Sequence, residues 1–339
     1  LTDITLASLG WSDFFENQLE PTETLLTPAR VHEVQRDRIR VLTEQGPLQL
    51  FPTEAAGNYA VGDWVLTDGT QALRILEART ALTRKAAGHV AYTQRIAANV
   101  DTLGIVSSCN DDFNLARIER YLALAATAGC TPLLILTKAD KSEDVAHYAA
   151  EARTLSEDLG VLALNAKDAG EAAPLHPYAS EGQTLALLGS SGVGKTTLRN
   201  RLTGESAATQ GIREDDAKGR HTTTYRSLVQ TQTGGWLIDT PGMRELQLAD
   251  MAEGIQEVFD DLLELSAQCK FRNCDHVSEP GCAVQAAIAD GTLDPARLER
   301  WRKLQAEDAR NTESIARQRA RGKAFAKMVK GAKKAKRVR

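Results

Sequence analysis

No run of apolar residues in this 339-residue chain is long enough to span a bilayer. The opening Leu1-Thr2-Asp3-Ile4 lacks the basic start and apolar stretch of a signal peptide. It also lacks a Met, as expected of a chain trimmed at its first residues. There is no internal repeat. Cysteine is scarce: there are five, an odd number, and three of them crowd near position 275. That usage suits a reducing compartment and a metal site better than disulfides, so the expected setting is cytoplasmic. Acidic residues are missing from 315–339, where eleven Lys or Arg accumulate. The rest of the chain holds 30 basic and 45 acidic groups, so the net charge of −4 hides a tail of +11 on a body of −15. What is present otherwise is ordinary for a soluble protein, 42% hydrophobic and 25% charged, in a length that allows two or three domains with cores of their own.

Residues 1–27 are polar and weakly patterned, and are expected to be loosely held. From Ala29 to about Arg79 the pattern is of short strands. Ile39-Arg40-Val41-Leu42, Leu48-Gln49-Leu50-Phe51 and Asp63-Trp64-Val65-Leu66 alternate with period near two, and Gly46-Pro47, Gly57-Asn58 and Asp68-Gly69 punctuate them. Such strands fit a small barrel of the OB type, or a plain β-domain without a ligand. The pattern then changes. Buried strands are expected at Leu103–Val106, Pro132–Leu136, Val161–Leu164, Thr184–Leu188 and Trp236–Ile238, with helices over Asn114–Ala128 and Val145–Leu159. Apolar strands alternating with helices indicate a parallel sheet covered on both faces. After about Asp250 the strands stop, leaving helices, a cysteine cluster and a basic helix or tail over 295–339.

Gly189-Ser190-Ser191-Gly192-Val193-Gly194-Lys195-Thr196 matches G-x-x-x-x-G-K-[ST] between an apolar strand and a helical run. Its glycines let backbone N–H groups curl round phosphates, and the following helix presents its positive end. Lys195 would reach the β- and γ-phosphates and Thr196 would ligate Mg²⁺, with Thr197 beside them. Thr137-Lys138-Ala139-Asp140 follows another buried strand and fits the [NT]-K-x-D base reader of GTPases. The Asp140 carboxylate can accept from guanine N1–H and the 2-amino group while the Lys138 stem covers the ring. Adenine offers neither donor, and sites built on such hydrogen bonds discriminate strongly. Asn165-Ala166-Lys167 is the matching candidate for backbone contacts to guanine O6.

Asp239-Thr240-Pro241-Gly242 fits D-x-x-G, with Asp239 holding Mg²⁺ through water and the Gly242 N–H sensing the γ-phosphate. In Gly219-Arg220-His221-Thr222-Thr223-Thr224, Thr223 is favoured to complete the Mg²⁺ shell, against an ordinary strand start. The order base reader, phosphate loop, switch threonine, D-x-x-G is a circular permutation of the Ras-like order. It leaves the site intact and makes the second switch lead straight into the C-terminal part. Met243 stands where many GTPases carry the water-orienting glutamine. Intrinsic hydrolysis should therefore be slow and need a partner. His221 is a candidate for positioning water, or a structural residue of the switch. Cys269, Cys274, His276 and Cys282 form C-x₄-C-x-H-x₅-C, the ligand set of a closed, structural zinc site. Cys109 and Cys130 lie in or beside apolar segments and read as core. The tail, ending Lys330-Gly331-Ala332-Lys333-Lys334-Ala335-Lys336-Arg337-Val338-Arg339, reads as a phosphate-backbone binder with steep salt dependence.

Together these motifs resemble the RsgA family of bacterial, small-subunit-dependent GTPases. Arg84-Lys85-Ala86-Ala87-Gly88 and Ile96-Ala97-Ala98-Asn99-Val100-Asp101 add to the likeness, being similar to the family's join between barrel and GTPase domain. The fold class expected is multidomain α/β: an N-terminal OB-fold β-barrel, a circularly permuted P-loop GTPase domain and a C-terminal helical zinc-binding domain. The divisions are 1–85, 86–249 and 250–339. The resemblance implies a late assembly factor of the small ribosomal subunit that binds the subunit and its rRNA, uses GTP/GDP, Mg²⁺ and one structural Zn²⁺, and works as a monomer off the membrane. The subunit would stimulate hydrolysis, which promotes release. Thr137 departs from the asparagine of many members, a residue that also ties the phosphate loop to the base-reading loop, so threonine is expected to weaken nucleotide affinity. An RNA-binding scaffold with a slow nucleotide switch is the alternative. An unrelated P-loop ATPase or kinase leaves Asp140 and the switch threonines unexplained.

Overall fold

The computed structural model of the chain describes residues 4–85, 93–156, 159–168, 170–205, 227–239 and 250–313. The expectations placed on 86–88, on His221 and Thr223, on Thr240 through Glu245 and on the basic tail lie outside these residues. The N-terminal segment is held firmly, against expectation. After the short helix α1 (Asp13–Glu16), the chain reaches the barrel with Leu9 and Phe15 fully buried. Trp11 packs edge-on to Trp64 at 4.8 Å, and Ser8 O accepts from Trp236 Nε1 at 2.7 Å. Three scattered apolar anchors on a polar segment make no periodic pattern, so tertiary contact alone reveals them.

The alternating stretches form β1 (Thr27–Val34), β2 (Ile39–Thr43), β3 (Gly46–Pro52), β4 (Trp64–Thr67) and β5 (Gln71–Ile75). They pair in the order β1-β2-β3-β5-β4 and close through β4 back onto β1, a five-stranded barrel of the OB kind. Its inward residues include Val31, Ile39, Val41, Leu50, Tyr59 and Val65. β6 (Ala81–Lys85) and β7 (Thr93–Ala98) make a two-stranded sheet of their own.

The second half of this unit alternates as expected. It comprises β8 (Thr102–Ser108), α2 (Leu115–Ala128), β9 (Thr131–Thr137), α3 (Val145–Arg153), β10 (Gly160–Ala163), β11 (Thr184–Gly189), α4 (Lys195–Thr203), β12 (Ser227–Gln230) and β13 (Trp236–Asp239). Asn114 caps α2 by accepting from Arg117 N–H, and Gly129 ends it in the left-handed region. α3 stops before the expected Leu159. The Thr154 hydroxyl donates back to Glu151 O at 2.7 Å, and Thr154 and Ser156 make a poor helix continuation. β10, β9, β8, β11 and β13 run parallel in that order, and β12 is antiparallel to β13. Val106, Ile135, Leu185, Leu187, Leu198 and Leu237 fill one layer between sheet and helices. Cys109 and Cys130 are buried, and burial pushes the Cys130 thiol up to about 12, as expected of core cysteines.

β1 also pairs with β12, Glu33 opposite Ser227, so barrel and nucleotide sheet share one eleven-stranded hydrogen-bonded run. The chain segregates into two compact units, Leu1–Leu82 with Arg95–Glu245, and Thr83–Gln94 with Leu246–Arg339. Inside the first, Arg30 on β1 is fully buried. Its guanidinium donates to Leu9 O, to Asn99 O at 3.1 Å and to Thr184 Oγ1 at 2.8 Å. Asn99 is tied at every polar group: its N–H donates to Thr80 O, its Oδ1 accepts from Arg79 N–H and its Nδ2 donates to Gly62 O. A Cβ on Gly62, at φ +91, would stand 2.1 Å from Ala98 O, so nothing larger fits where barrel meets sheet. In the second unit α5 (Ala252–Val258), α6 (Asp260–Ala267), α7 (Ala283–Ala289) and a helix over residues 295–313 pack around Phe259, Leu262, Val284 and Leu298. Arg297 lies over the Phe259 ring at 4.9 Å and forks onto Asp261.

Removing the Arg30 fork strands buried acceptors, each costing about 1–3 kcal/mol. Arg30→Met is therefore expected to lower the melting midpoint of this unit by roughly 5–20 °C, with Arg30→Lys recovering only part. A midpoint within about 2 °C of the unsubstituted chain, read by scanning calorimetry, would refute the assignment.

Candidate nucleotide and metal sites

Parallel sheets present ligands to the loops beyond their strand carboxyl ends. Four of the sequence motifs come together there. Thr137-Lys138-Ala139-Asp140 leaves β9, Asn165-Ala166-Lys167 follows β10, the glycine loop leaves β11 and Asp239 ends β13. Gly189, the last residue of β11, lies so close to β8 that a Cβ would be 2.2 Å from Val106 O. The loop then turns through Gly192 and Gly194, both at positive φ, and Lys195 opens α4. Ser190, Ser191 and Val193 complete it, with Thr196 and Thr197 in the first turn of the helix. The Lys195 ammonium donates to Gly189 O at 2.7 Å and to Ser190 O, so it is folded over the loop's own carbonyls.

The base-reading candidate is joined to the phosphate-loop candidate. Thr137 is fully buried, and its hydroxyl lies 2.5 Å from Val193 O and 3.1 Å from Ser107 O. A threonine hydroxyl donor thus makes a tie between the two loops in place of the asparagine of many members. Lys138 takes a left-handed backbone at φ 58, which swings the chain outward and leads into the turn of 3-10 helix holding Asp140. The third loop is braced by residues that spacing alone did not single out. Glu171 accepts from Asn165 N–H at 2.6 Å, Asn165 Oδ1 accepts from Lys167 N–H at 3.0 Å, and Arg201 of α4 donates to Lys167 O. Glu171 and Arg201 sit in no motif, so no sequence signal marks them.

In the second unit the four metal-ligand candidates converge, with one ligand atom from each lying within 4.8 Å of all the others. Cys269 and Cys282 sulfurs are 3.8 Å apart, and His276 Nδ1 is 3.6 and 3.4 Å from them. Zn–S bonds of about 2.3 Å and Zn–N bonds of about 2.0 Å, arranged tetrahedrally, call for edges of about 3.8 and 3.5 Å, so the donor set fits zinc. The ring's other nitrogen is also placed. Ser266 donates its hydroxyl to Leu262 O at 2.6 Å and so must accept from His276 Nε2–H at 3.1 Å, which leaves Nδ1 unprotonated toward the sulfurs. Gln285 Nε2 and Arg302 both donate to His276 O, which fixes a residue held at φ 56. Glu279 accepts hydrogen bonds from its own backbone N–H and from those of Asp275, Val277 and Ser278, which hold its carboxyl down to about 2.

The RsgA GTPase family model matches residues 75–249. The small ribosomal subunit biogenesis GTPase RsgA of Mesorhizobium japonicum is 53% identical over 316 residues, covering 91% of this chain and 91% of its own length. RsgA 2 of Vibrio vulnificus, described in the same words, is 48% identical over 96% of this chain and 94% of its own. Among solved structures, YjeQ from Thermotoga maritima superposes with a TM-score of 0.61 at 24% identity, covering 83% of this chain and 98% of that one. YloQ, a circularly permuted GTPase, gives 0.59 at 22%, covering 86% and 98%. At those identities the two structures speak for the fold alone.

The hydroxyl tie carries a direct expectation. Thr137→Val should raise the dissociation constant of GDP about 5- to 30-fold, the equivalent of one buried hydrogen bond and its stranded acceptor, while Thr137→Ser stays near the original. Equal GDP affinities for all three chains, by titration calorimetry, would show that the tie does not support the site.

Proposed function

The chain belongs to the RsgA GTPase family, and we infer that it hydrolyses GTP to GDP and phosphate as an assembly factor of the small ribosomal subunit. The observation that carries the reading is the Thr137 bridge, which couples a guanine-type base reader to a phosphate loop across the ends of β9 and β11, the two strands that flank β8. In this reading Asp140 and Lys138 select guanine, with the backbone of Asn165, Ala166 and Lys167 toward O6. The N–H groups from Gly189 through Thr197 and the Lys195 ammonium hold the phosphates. Its present acceptors, Gly189 O and Ser190 O, place that ammonium beside the loop it serves.

Thr196 lies in the first turn of α4, which follows β11, and Asp239 ends β13; β11 and β13 pair directly, Ala186 opposite Ile238. Those two residues, with Thr223, are the ones that would hold Mg²⁺. Once bound, the ion neutralises charge on the β- and γ-phosphate oxygens. Gly242 would sense the γ-phosphate and His221 would orient the attacking water, since Met243 cannot. A site without its own water-positioning glutamine needs a partner, and the subunit named for the relatives supplies one.

Contact with rRNA is assigned to the barrel and the basic tail. On the barrel's outer face Phe51 is 52% exposed, and the Arg38 guanidinium lies 5.8 Å from its ring centre, with Arg40 exposed on the adjoining strand. Such pairs of aromatic rings and cations stack unpaired bases. Residues 1–85 would thus face RNA, 86–249 would carry the switch, and 250–339 a helical domain closed by one Zn²⁺. The protein would act as a monomer in the cytoplasm.

Phosphate release from GTP and from ATP, with and without purified small subunits and at two salt concentrations, tests this. GTP alone should be turned over, slowly until subunits accelerate it at least tenfold, with the acceleration lost at raised salt. Turnover of ATP at a similar rate, or indifference to subunits, would overturn the substrate or the partner respectively. A metal count well below one zinc per chain would remove the zinc from the reading.

A further inference from the structure

Strand β1 belongs to two structures at once. Its first half closes the barrel, with Thr27 to Arg30 opposite Thr67 to Trp64. Its second half meets β12, the strand that follows the switch threonines in sequence, with Glu33 opposite Ser227. Ser227 in turn stands opposite Asp239 across the β12–β13 ladder. One row of backbone therefore runs from the barrel through the end of the switch segment to the D-x-x-G aspartate.

Within β1 the register against β2 slips between Val31 and Glu33: Val31 faces Val41 while Glu33 faces Arg40. His32 is the extra residue of that bulge. A bulge bends its strand and re-aims a side chain, and such features recur beside active sites. Here the re-aimed side chain does not enter the barrel. His32 Nδ1 lies 2.6 Å from Leu228 O on β12. A carbonyl oxygen can only accept, so the ring holds its proton on Nδ1. That is the less favoured tautomer of free histidine, selected here by the bond it makes. One residue beyond the Glu33–Ser227 pair, the imidazole adds a side-chain tie to a short backbone ladder. The neighbouring groups are accounted for: Glu33 pairs with Arg40 at 3.3 Å and accepts from Gln35.

We propose that His32 is a positioning residue through which the barrel sets the switch strand β12, and with it Asp239, for GTP hydrolysis. A barrel seated on its RNA thereby holds the strand pair that carries the hydrolytic residues, and the bulged histidine is the point of transmission. The proposal rests on the GTPase reading above and adds the element that couples partner to chemistry. It needs no contact between His32 and nucleotide, and it assigns the residue no proton transfer.

Two substitutions separate a tether from mere packing. His32→Leu fills much of the same space without a donor, and His32→Asn puts an amide N–H close to the position of Nδ1. With saturating small subunits, His32→Leu should lower kcat for GTP about tenfold, within the range of ordinary coupling between sites, while KM stays within about twofold. GDP affinity, measured beside it, checks that the nucleotide site is folded. His32→Asn should recover most of the lost rate. Stimulated kcat unchanged in the Leu variant, or an Asn variant as slow as Leu, would overturn the proposal. Should the Leu variant fail to fold, the unsubstituted chain decides. With its histidines labelled in ¹⁵N, the ring signals of His32 should report an Nδ1–H tautomer that shifts when GDP is exchanged for a non-hydrolysable GTP analogue. An Nε2–H tautomer, or identical signals in both nucleotide states, would overturn it equally. An unsubstituted chain that releases no phosphate from GTP would contradict the GTPase reading itself, an outcome distinct from either result.

Discussion

A guanidinium buried completely between three segments of chain is the constraint on which this architecture turns. Arg30 donates to one acceptor on the N-terminal segment, one at the entry to the nucleotide sheet and one on the strand that leads to the phosphate loop. Burial pulls it down to about 10, with Asp101 opposing that fall, so it stays charged at neutral pH. Asp101 also accepts from Thr184 N–H and pairs with Arg79. A charge in such a place is tolerated only when its neighbours are fixed around it. The barrel is accordingly no independent bead on a tether. It is welded to the sheet at Arg30, at Asn99 and along β1.

Permutation of the motif order then costs the site nothing. Each motif needs only the carboxyl end of its own strand, and the strands keep their places whichever of them comes first in sequence. What changes is the wiring. The barrel precedes β8, so the sheet edge next to the switch strand is open for β1 to occupy, and it does so through a bulge. In the same chain order the D-x-x-G strand is the last of the sheet and hands on to the helical unit. Nucleotide chemistry thus has a barrel strand on one side of it and, downstream in the chain, the helices that hold the Cys269, Cys274, His276 and Cys282 cluster.

Much of this was legible in the sequence, for identifiable reasons. Phosphate binding needs glycines where the backbone closes in, and Gly189 shows why, since Val106 O would collide with any Cβ. A tetrahedral ion needs four ligands within reach, and C-x₄-C-x-H-x₅-C delivers them. Period-two alternation marked the barrel strands because one face of each is buried. Features decided by long-range contact left no such mark. Leu9, Trp11 and Phe15 look like stray apolar residues until Trp64 is beside them. Ser227–Gln230 is too short and too mixed to read as a strand, and its partner in β1 lies nearly two hundred residues away. The tie made by Thr137 and the brace of Ser266 behind His276 are hydrogen bonds whose geometry no spacing encodes. The bulge at His32 is likewise invisible, because an alternation interrupted once still reads as a strand.

The central claim is that barrel and nucleotide sheet are one cooperative body. Native-state hydrogen exchange with and without saturating GDP tests it most directly. A ligand that binds only the folded state protects every amide whose exchange requires unfolding of the body it belongs to. The slowest amides of β2 and β3, which touch no part of the nucleotide site, should gain the same protection as those of β8 and β11. Protection confined to β8, β9 and β11, with β2 and β3 exchanging as before, would mean that the barrel unfolds on its own and that the weld at Arg30 does not hold.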